Sequence, residues 1–193
     1  MPDVLIVGGA ATGWATAHYL NLLDPSLSIT VIEQDPSLAK SSTMLSESNV
    51  RIQFNLDENI AMSKYGMECI DNFGDMLEVG GERAHVDRRK QGNLFLVDEA
   101  GRDSAMAGLG NQRRFGGNVE WLEMSEIAER FPVAVSVDFV GATFGPDDGP
   151  VDANGIVNGY RRRAIHGGVG RLTAQVESLV TDGSRISGVT IDG

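Results

Sequence analysis

A short apolar segment that runs into paired glycines and then into a helix most constrains what this chain can fold into. Val4 to Val7 form a run rich in β-branched residues that stops at the glycines, as a strand buried on both faces does. Apolar residues then recur at roughly helical spacing up to Leu23, and Asp24-Pro25 breaks the pattern. Ser28 to Glu33 forms a second apolar strand that ends in a carboxylate. This order predicts a β-α-β unit.

The glycines and the carboxylate have the spacing of a dinucleotide site. Gly8 would make the tight turn, the helix N-terminus would offer N–H groups and a positive dipole to a pyrophosphate, and Gly13 would allow close helix–strand packing. Glu33 lies 20 residues beyond Gly13, where an acid that binds ribose hydroxyls is expected. Ala10 stands where a second glycine is usual, which restricts the approach of the backbone to phosphate. The alternative is an ordinary β-α-β turn with a solvated Glu33.

Composition and charge limit the partners of the chain. The 193 residues include 41% hydrophobic residues and carry a formal net charge of −11, which argues against binding to nucleic acid or to an anionic membrane. One cysteine, Cys69, rules out an internal disulfide and a thiolate metal cluster. The first apolar run is too short to span a bilayer and has no basic segment before it. We therefore expect a cytoplasmic protein without a membrane or metal partner.

The chain after Asp35 departs from a nicotinamide-binding domain, which would return promptly through another helix and parallel strand. Residues 36–56 are interpreted as a long Ser-rich loop, because their apolar residues recur with neither helical nor strand spacing. Asp57 is predicted to cap an amphipathic helix that runs to Glu78, with Tyr65 among the residues on or near its apolar stripe.

A more β-rich section follows, and then a return to helix and hairpin. Asp152 is predicted to cap a helix whose Gly155 and Gly159 imply close approach to a neighbour. The remaining predicted elements are strands Asn93–Asp98 and Phe139–Phe144, helices Ser104–Arg114 and Ser125–Arg130, and strands between Leu172 and Ile191 with a turn at Asp182-Gly183.

Several segments together resemble the FAD-dependent oxidoreductases of the D-amino-acid oxidase superfamily, which includes enzymes that oxidise glycine, sarcosine and dimethylglycine. The segments are VLIVGGAATG, ITVIEQD, STMLSESNVRIQF, NLFLVDEAG, ERFP, FGPDDGPVDANGIVNGYRRRA and the terminal VTDGSRISGVTIDG. The resemblance implies an α/β fold, with a Rossmann-like FAD-binding domain into which part of an α+β substrate domain is inserted. The implied boundaries are 1–88 and 150–193 for the FAD-binding domain and 89–149 for the partial substrate domain.

The resemblance also assigns residues to the cofactor. Ser42 and Thr43 match a stretch that approaches the flavin, and Val176 matches a residue whose backbone meets the adenine. Arg51 and Gln53 match a segment near the isoalloxazine, although a solvated loop remains the alternative for both. The full set expected to bind FAD is Gly8, Gly9, Ala10, Gly13, Glu33, Gln34, Ser42, Thr43, Arg51, Gln53 and Val176. No catalytic residue can be named.

The implied function is oxidation of a C–N bond in a small amine or amino acid, with hydride passing to flavin N5. The resemblance also implies a non-covalent FAD. Some members of the family bind flavin covalently through a histidine in the loop that corresponds to residues 36–56, whereas His18, His85 and His166 of this chain all lie outside it. The competing hypothesis is a non-catalytic nucleotide-binding or assembly protein, which Ala10, Ser48 and Asn49 favour because they replace family glycines. The final Asp192-Gly193 suggests a hairpin turn without its second strand, so we expect a truncated, inactive chain that self-associates.

Overall fold

The computed structural model describes residues 2–132 and 138–192, which divide into two units. The first unit comprises Met1–Ser48, Phe73–Asp87 and Asp152–Gly193, and the second comprises Asn49–Asn72 and Arg88–Val151. The divisions near residues 88 and 151 lie within two residues of the predicted boundaries. Residues 49–72 belong to the second unit, although the sequence placed them in the first. The roles assigned to the units stay predictions.

The chain forms ten strands and seven helices in the part that the structure describes. In chain order they are β1 (Val4–Val7), α1 (Ala11–Leu23), β2 (Ile29–Glu33), α2 (Ser42–Leu45), β3 (Asn49–Val50), α3 (Asp57–Asp71), α4 (Phe73–Met76), β4 (Asn93–Val97), α5 (Arg102–Arg114), β5 (Glu120–Glu123), α6 (Met124–Arg130), β6 (Gly141–Gly145), β7 (Gly149–Pro150), α7 (Ala153–His166), β8 (Gly170–Thr173), β9 (Val176–Asp182) and β10 (Arg185–Ile191).

The first unit is built on a parallel sheet in the order β1-β2-β8. Val4 is in register with Ile29, and Thr30 is in register with Gly170, so the predicted β-α-β unit is present. The prediction that β1 is buried on both faces is wrong. Val7 is 58% exposed, because β1 is an edge strand of this sheet in the described part of the chain. β2, which has a partner on each side, is the more buried strand.

Helices α1 and α7 pack against each other in the core of the first unit. Trp14, Ala17, Phe73 and Tyr160 are among the buried residues of this core. Leu23 ends the predicted apolar stripe of α1 but is exposed, because it is the last helical residue. The core therefore depends on two helices that are distant in sequence.

Two glycine positions in α7 allow the close approach that the sequence predicted. Asp152 is the N-cap, and its carboxylate accepts a hydrogen bond from the Asn154 N–H at 2.9 Å. A Cβ on Gly155 would collide with the His85 carbonyl oxygen, and one on Gly159 would overlap the Phe73 ring. Packing thus compensates for the low helix propensity of glycine.

The second unit contains a three-stranded antiparallel sheet in the order β4-β6-β5, with α5 and α6 beside β5. Strand β5 was not predicted, although β4, β6 and α5 lie within three residues of their predicted bounds. The N-cap of α6 is Glu123 and not Ser125, because Glu123 and Glu126 form a reciprocal capping box.

Three further predictions need correction. The helix predicted from Asp57 to Glu78 is interrupted at Asn72, whose side chain donates to the Glu68 carbonyl oxygen and caps α3. Leu56 is the N-cap of α3, and the Asp57 carboxylate instead pairs with Arg114 at 2.7 Å. Tyr65 is 58% exposed and so lies off the apolar stripe. Residues 36–56 are not wholly loop, because they contain α2 and β3.

The predicted C-terminal hairpin is formed by β9 and β10, which pair antiparallel around Asp182-Gly183. Most residues of both strands are exposed. The second turn predicted at Asp192-Gly193 involves Gly193, which lies outside the described residues.

We predict that Gly13→Ala destabilises the protein. An added Cβ would overlap the Gly8 carbonyl oxygen, which belongs to rigid backbone, so overpacking should cost about 1–3 kcal/mol or more. Gly110→Ala is the matched control, because Gly110 lies in α5 with open space where its Cβ would be, and it should gain up to about 1 kcal/mol. Urea unfolding followed by circular dichroism measures both. Equal stability of Gly13→Ala and wild type would contradict the packing argument.

We predict that His18 makes the protein less stable as the pH falls. His18 is 5% exposed and packs against the rings of Tyr19 and Tyr160, which also contact each other. Burial lowers the pKa of His18 below its ordinary value of 6.5, and the charge of Arg163 lowers it further. The unfolded chain therefore binds a proton at His18 more tightly than the folded chain does. The stability that neutral His18 contributes above pH 6.5 is consequently lost as the pH falls below 6.5. The difference in unfolding free energy between wild type and His18→Leu should fall from pH 7.5 to 5.5 by at most about 1.4 kcal/mol per pH unit. A constant difference would refute this.

Candidate functional site

A cleft of about 650 Å³ lies in the first unit, at the carboxyl ends of β1, β2 and β8. Ligands of parallel α/β sheets bind at this end of the strands. The volume falls within the ~300–1,000 Å³ typical of ligand pockets. The residues that line the cleft are Gly8, Ala10, Glu33, Gln34, Asp35, Leu38, Lys40, Ser41, Thr173, Ala174, Gln175 and Asp192.

The glycine turn brings the N-terminus of α1 to this cleft. Gly8 has φ = +106°, which favours glycine, and its N–H donates to the Ile32 carbonyl oxygen at 2.8 Å. Gly13 lies against the Gly8 carbonyl oxygen and allows the helix to start close to the strand. Ala10 is the N-cap of α1 and supplies no side-chain cap. Free N–H groups and the helix dipole at this end suit an anionic group such as a pyrophosphate.

Glu33 links the end of β2 to the glycine turn. Its Oε2 accepts the Gly9 N–H at 2.7 Å, and its Oε1 accepts the Asp35 N–H at 2.8 Å. A carboxylate has about four lone-pair positions, so two remain for further donors such as ribose hydroxyls. The sequence predicted a ligand contact for this carboxylate but not its bonds to the backbone of the turn.

Helix α2 closes another side of the turn. Ser41, its N-cap, accepts the Met44 N–H through its side chain and lines the cleft. The Thr43 hydroxyl accepts the Ala11 N–H at a long 3.4 Å, which places it at the first turn of α1. Ser42 is in the same helix but does not line the cleft.

Other predicted positions lie beside the cleft or outside it. Gly9 lines a smaller groove next to the cleft, where its missing side chain leaves room for Glu33. Gln34 lines the main cleft. Val176, the first residue of β9, does not line it, although the three residues from Thr173 to Gln175 do.

Three charged residues that line the cleft, Asp35, Lys40 and Asp192, were not among the predicted site residues. Among the described residues that line it, Lys40 is the one cation, beside the carboxylates of Glu33, Asp35 and Asp192. Hydrogen bonds from the Ser37 hydroxyl and N–H hold the pKa of Asp35 below its usual value. Lys40 is positioned to attract an anion that enters the cleft. Its position in a polar loop gave no sequence signal.

Arg51 and Gln53 belong to the second unit, and neither is a solvated loop residue. Gln53 is 9% exposed, and its Nε2 donates at 2.9 Å both to the Asn93 carbonyl oxygen and to Asp148. Arg51 is half-buried, with its guanidinium carbon 4.7 Å from the centre of the Phe54 ring. The alternative of a solvated surface is therefore wrong for both, while their assignment to the flavin stays a prediction.

Asp148 is a buried carboxylate that the sequence did not single out. Its Oδ1 accepts the Ile52 N–H at 3.0 Å and its Oδ2 accepts from Gln53. Burial raises the pKa of Asp148, although the bonds from Gln53 and Ile52 and the charge of Arg51 oppose this. The sequence analysis interpreted residues 145–150 only as a turn, and no pattern in the sequence indicated that Asp148 would be buried and accept hydrogen bonds.

Two other kinds of site are missing from the part of the chain that the structure describes. No group of three or more His, Cys, Asp or Glu side chains is arranged to hold a metal ion. None of the described helices combines the length and apolarity that crossing a bilayer requires.

Comparison with known proteins relates this geometry to a family. The model of the DAO family, FAD dependent oxidoreductases, matches residues 3–193. FAD-dependent oxidoreductase domain-containing protein 1 of Xenopus laevis is 31% identical over 98% of this chain and 42% of its own length. Sarcosine oxidase subunit beta of an Arthrobacter species is 23% identical over 97% of this chain and 46% of its own length.

The fold is also found in solved structures. L-proline dehydrogenase from P. horikoshii superposes with a TM-score of 0.82 at 22% identity, over 99% of this chain and 49% of that chain. The chain spans less than half the length of the curated relatives described above. FAD is the cofactor of the matched family. From the glycine turn, the cleft and a family match that covers residues 3–193, we conclude that this chain belongs to the DAO family of FAD-dependent oxidoreductases.

Proposed function

We propose that this chain forms the nucleotide-binding part of an FAD-dependent oxidoreductase that oxidises a C–N bond in a small amine or amino acid. The observation that carries the proposal is the cleft in which the N-terminus of α1, Gly8 and Glu33 converge. The family match supports FAD as the ligand of that cleft.

The residues of the cleft fit the adenosine and pyrophosphate parts of FAD. Gly8 and the uncapped N-terminus of α1 would receive the pyrophosphate, and Lys40 would add a compensating positive charge. The remaining lone pairs of Glu33 would accept the ribose hydroxyls. The methyl group of Ala10 would limit how closely the backbone approaches the phosphates.

The substrate class is proposed from the names of the similar proteins. Sarcosine oxidase and L-proline dehydrogenase are named for small amino acids, each of which contains an oxidisable C–N bond. Bound FAD would supply the two-electron acceptor. Within this proposal, the described residues of the first unit bind and orient the nucleotide, and no proton-transferring residue is assigned.

Activity is tested with the full reading frame that encodes this chain, because the curated relatives are more than twice as long. The purified protein is loaded with FAD and mixed without oxygen with sarcosine, glycine, L-proline or D-alanine. Bleaching of the flavin absorbance by at least one of these supports amine oxidation. Bleaching by none of them, while dithionite still bleaches the flavin, would refute the proposed substrate class.

We predict that the chain binds FAD in preference to NADH. A nicotinamide-binding domain would return from β2 through one helix to a parallel strand. In this chain a long segment follows β2 before the next parallel strand, β8, which motivates the expectation. Titration followed by flavin fluorescence should give a measurable dissociation constant for FAD. Micromolar binding of NADH, together with no fluorescence change on adding FAD, would show that the assignment is wrong.

We predict that Glu33→Ala weakens FAD binding by about 1.5–3 kcal/mol, the usual contribution of a hydrogen bond to a charged group. Glu47→Gln is the control, because Glu47 is an exposed carboxylate that does not line the cleft. Since Glu33 also holds the Gly9 N–H, circular dichroism must first show that the variant remains folded. An unchanged dissociation constant in a folded variant would exclude a ribose contact.

We predict that Ala10→Gly tightens FAD binding. Removing the methyl group at the N-cap of α1 gives the pyrophosphate closer access to the backbone. Isothermal titration of wild type and variant measures the effect. Weaker binding by the variant would mean that the flexibility added by glycine outweighs the access gained.

A further inference from the structure

The small groove beside the nucleotide cleft, of about 40 Å³, contains two arginines that the proposed function does not use. We call it the arginine groove. Its volume is sufficient for a few water molecules or one small oxyanion. The residues that line it include Trp14, Val31, Glu33, Arg161, Arg171 and Thr173.

The register of the parallel sheet places Arg171 in this groove. In β8, Arg171 is in register with Val31 of β2, and side chains in register on parallel strands lie on the same face of a sheet. Val31 is 1% exposed and packs in the core with Trp14 of α1. Arg171 therefore lies on the face that the helices cover. It is exposed because β8 is an edge strand in the described part of the chain.

Neither arginine of the groove has a carboxylate partner among the described residues. Arg161, in α7, donates to the side-chain oxygen of Asn158 at 2.7 Å. Arg171 makes no hydrogen bond or ion pair with any described residue, whereas Arg162, next to Arg161, pairs with Glu82 at 3.4 Å. Two guanidinium groups that line one groove repel each other, and an anion between them would remove this repulsion.

Glu33 is the one carboxylate among the described residues that line the groove. Its two oxygens accept the N–H groups of Gly9 and Asp35, which partly compensate its charge. With Arg161 and Arg171 opposite one carboxylate, the lining keeps a net positive charge, although the whole chain carries −11. The charge of the groove therefore favours an anion over a cation.

The indole of Trp14 adds a hydrogen-bond donor without a partner. Trp14 is 4% exposed, and its Nε1–H has no acceptor among the described residues. A buried indole N–H usually has one. The nitrogen is not among the fully enclosed polar atoms without a partner, so it keeps accessible surface, and Trp14 lines the arginine groove. A molecule in the groove can therefore accept this hydrogen bond.

We propose that the arginine groove binds a small oxyanion such as inorganic phosphate. The guanidinium groups of Arg161 and Arg171 donate to its oxygens, as arginine commonly does to phosphate, and the Trp14 Nε1–H donates one further hydrogen bond. The site lies within the first unit and does not require FAD, although Glu33 and Thr173 also line the nucleotide cleft.

The test follows the indole N–H resonances by NMR in the 193-residue chain, labelled with ¹⁵N at tryptophan and free of FAD. The chain has two tryptophans, and Trp121, in the second unit, does not line the groove. The spectrum of Trp121→Phe assigns the two resonances. Inorganic phosphate is titrated at a constant ionic strength maintained with sodium chloride.

We expect the Trp14 resonance to shift and to saturate with a dissociation constant of about 1 mM, while the Trp121 resonance stays in place. A Trp14 resonance that does not move, or that moves without saturation, would overturn the proposal. So would an equal shift on adding sodium chloride alone, because the response would then report ionic strength and not an oxyanion.

Two pairs of variants test the arginines. Arg171→Gln should weaken phosphate binding about three- to fivefold, since its guanidinium is exposed and screened by solvent. Arg185→Gln is its matched control, because Arg185 is also an exposed strand residue but does not line the groove. Arg161→Gln should weaken binding by a similar factor, and its control is Arg162→Gln on the same helix.

Equal losses in a variant and its control would show that the charge acts only at long range and would overturn the assigned contacts. FAD affinity is measured on the same wild-type chain. Absence of FAD binding with a saturating Trp14 response to phosphate would count against the proposed function alone. FAD binding without a response to phosphate would count against the arginine groove alone.

Discussion

The close contact between α1 and the turn after β1 is the constraint on which the nucleotide cleft depends. Because Gly13 has no side chain, the helix can begin directly against the Gly8 carbonyl oxygen. This packing places the helix N-terminus at the carboxyl end of the sheet, where Glu33 also ends its strand. The hydrogen bond that the Gly9 N–H donates to Glu33 then fixes the turn from the opposite side. The backbone groups of the turn after β1 therefore determine both how α1 packs on the sheet and how the cleft is formed.

The sequence predicted the elements whose signals are local. A run of β-branched residues ended by glycine gave β1, Asp152 gave the start of α7, and Asp182-Gly183 gave the hairpin turn. The resemblance to a family gave the cofactor, which the family match confirms. These features could be predicted because each depends on a short stretch of sequence with a known physical preference.

The errors have a common origin in contacts between distant segments. The end of α3 at Asn72 has a local cause that the sequence interpretation missed, since the Asn72 side chain caps the helix, but the passage of the chain into the other unit at this point depends on contacts between distant segments. The sequence around Asp148 predicts only a turn, whereas in the structure Asp148 accepts hydrogen bonds from Ile52 and Gln53, about 95 residues earlier in the chain. Lys40 likewise enters the cleft only because the chain after β2 folds back over it. Such roles depend on the tertiary fold and leave no local pattern.

The interleaving of the two units has a consequence for synthesis on the ribosome. The second unit is complete in sequence at Val151, whereas the first still lacks α7 and β8 at that point. Strand β2 therefore cannot pair with β8, and α1 cannot pack against α7, until the residues between them have been synthesised. The N-terminal segment must keep its apolar face exposed during this delay, which favours transient chaperone binding and slow completion of the first unit. We therefore expect the first unit to complete its fold after the second, although its first residues are synthesised first.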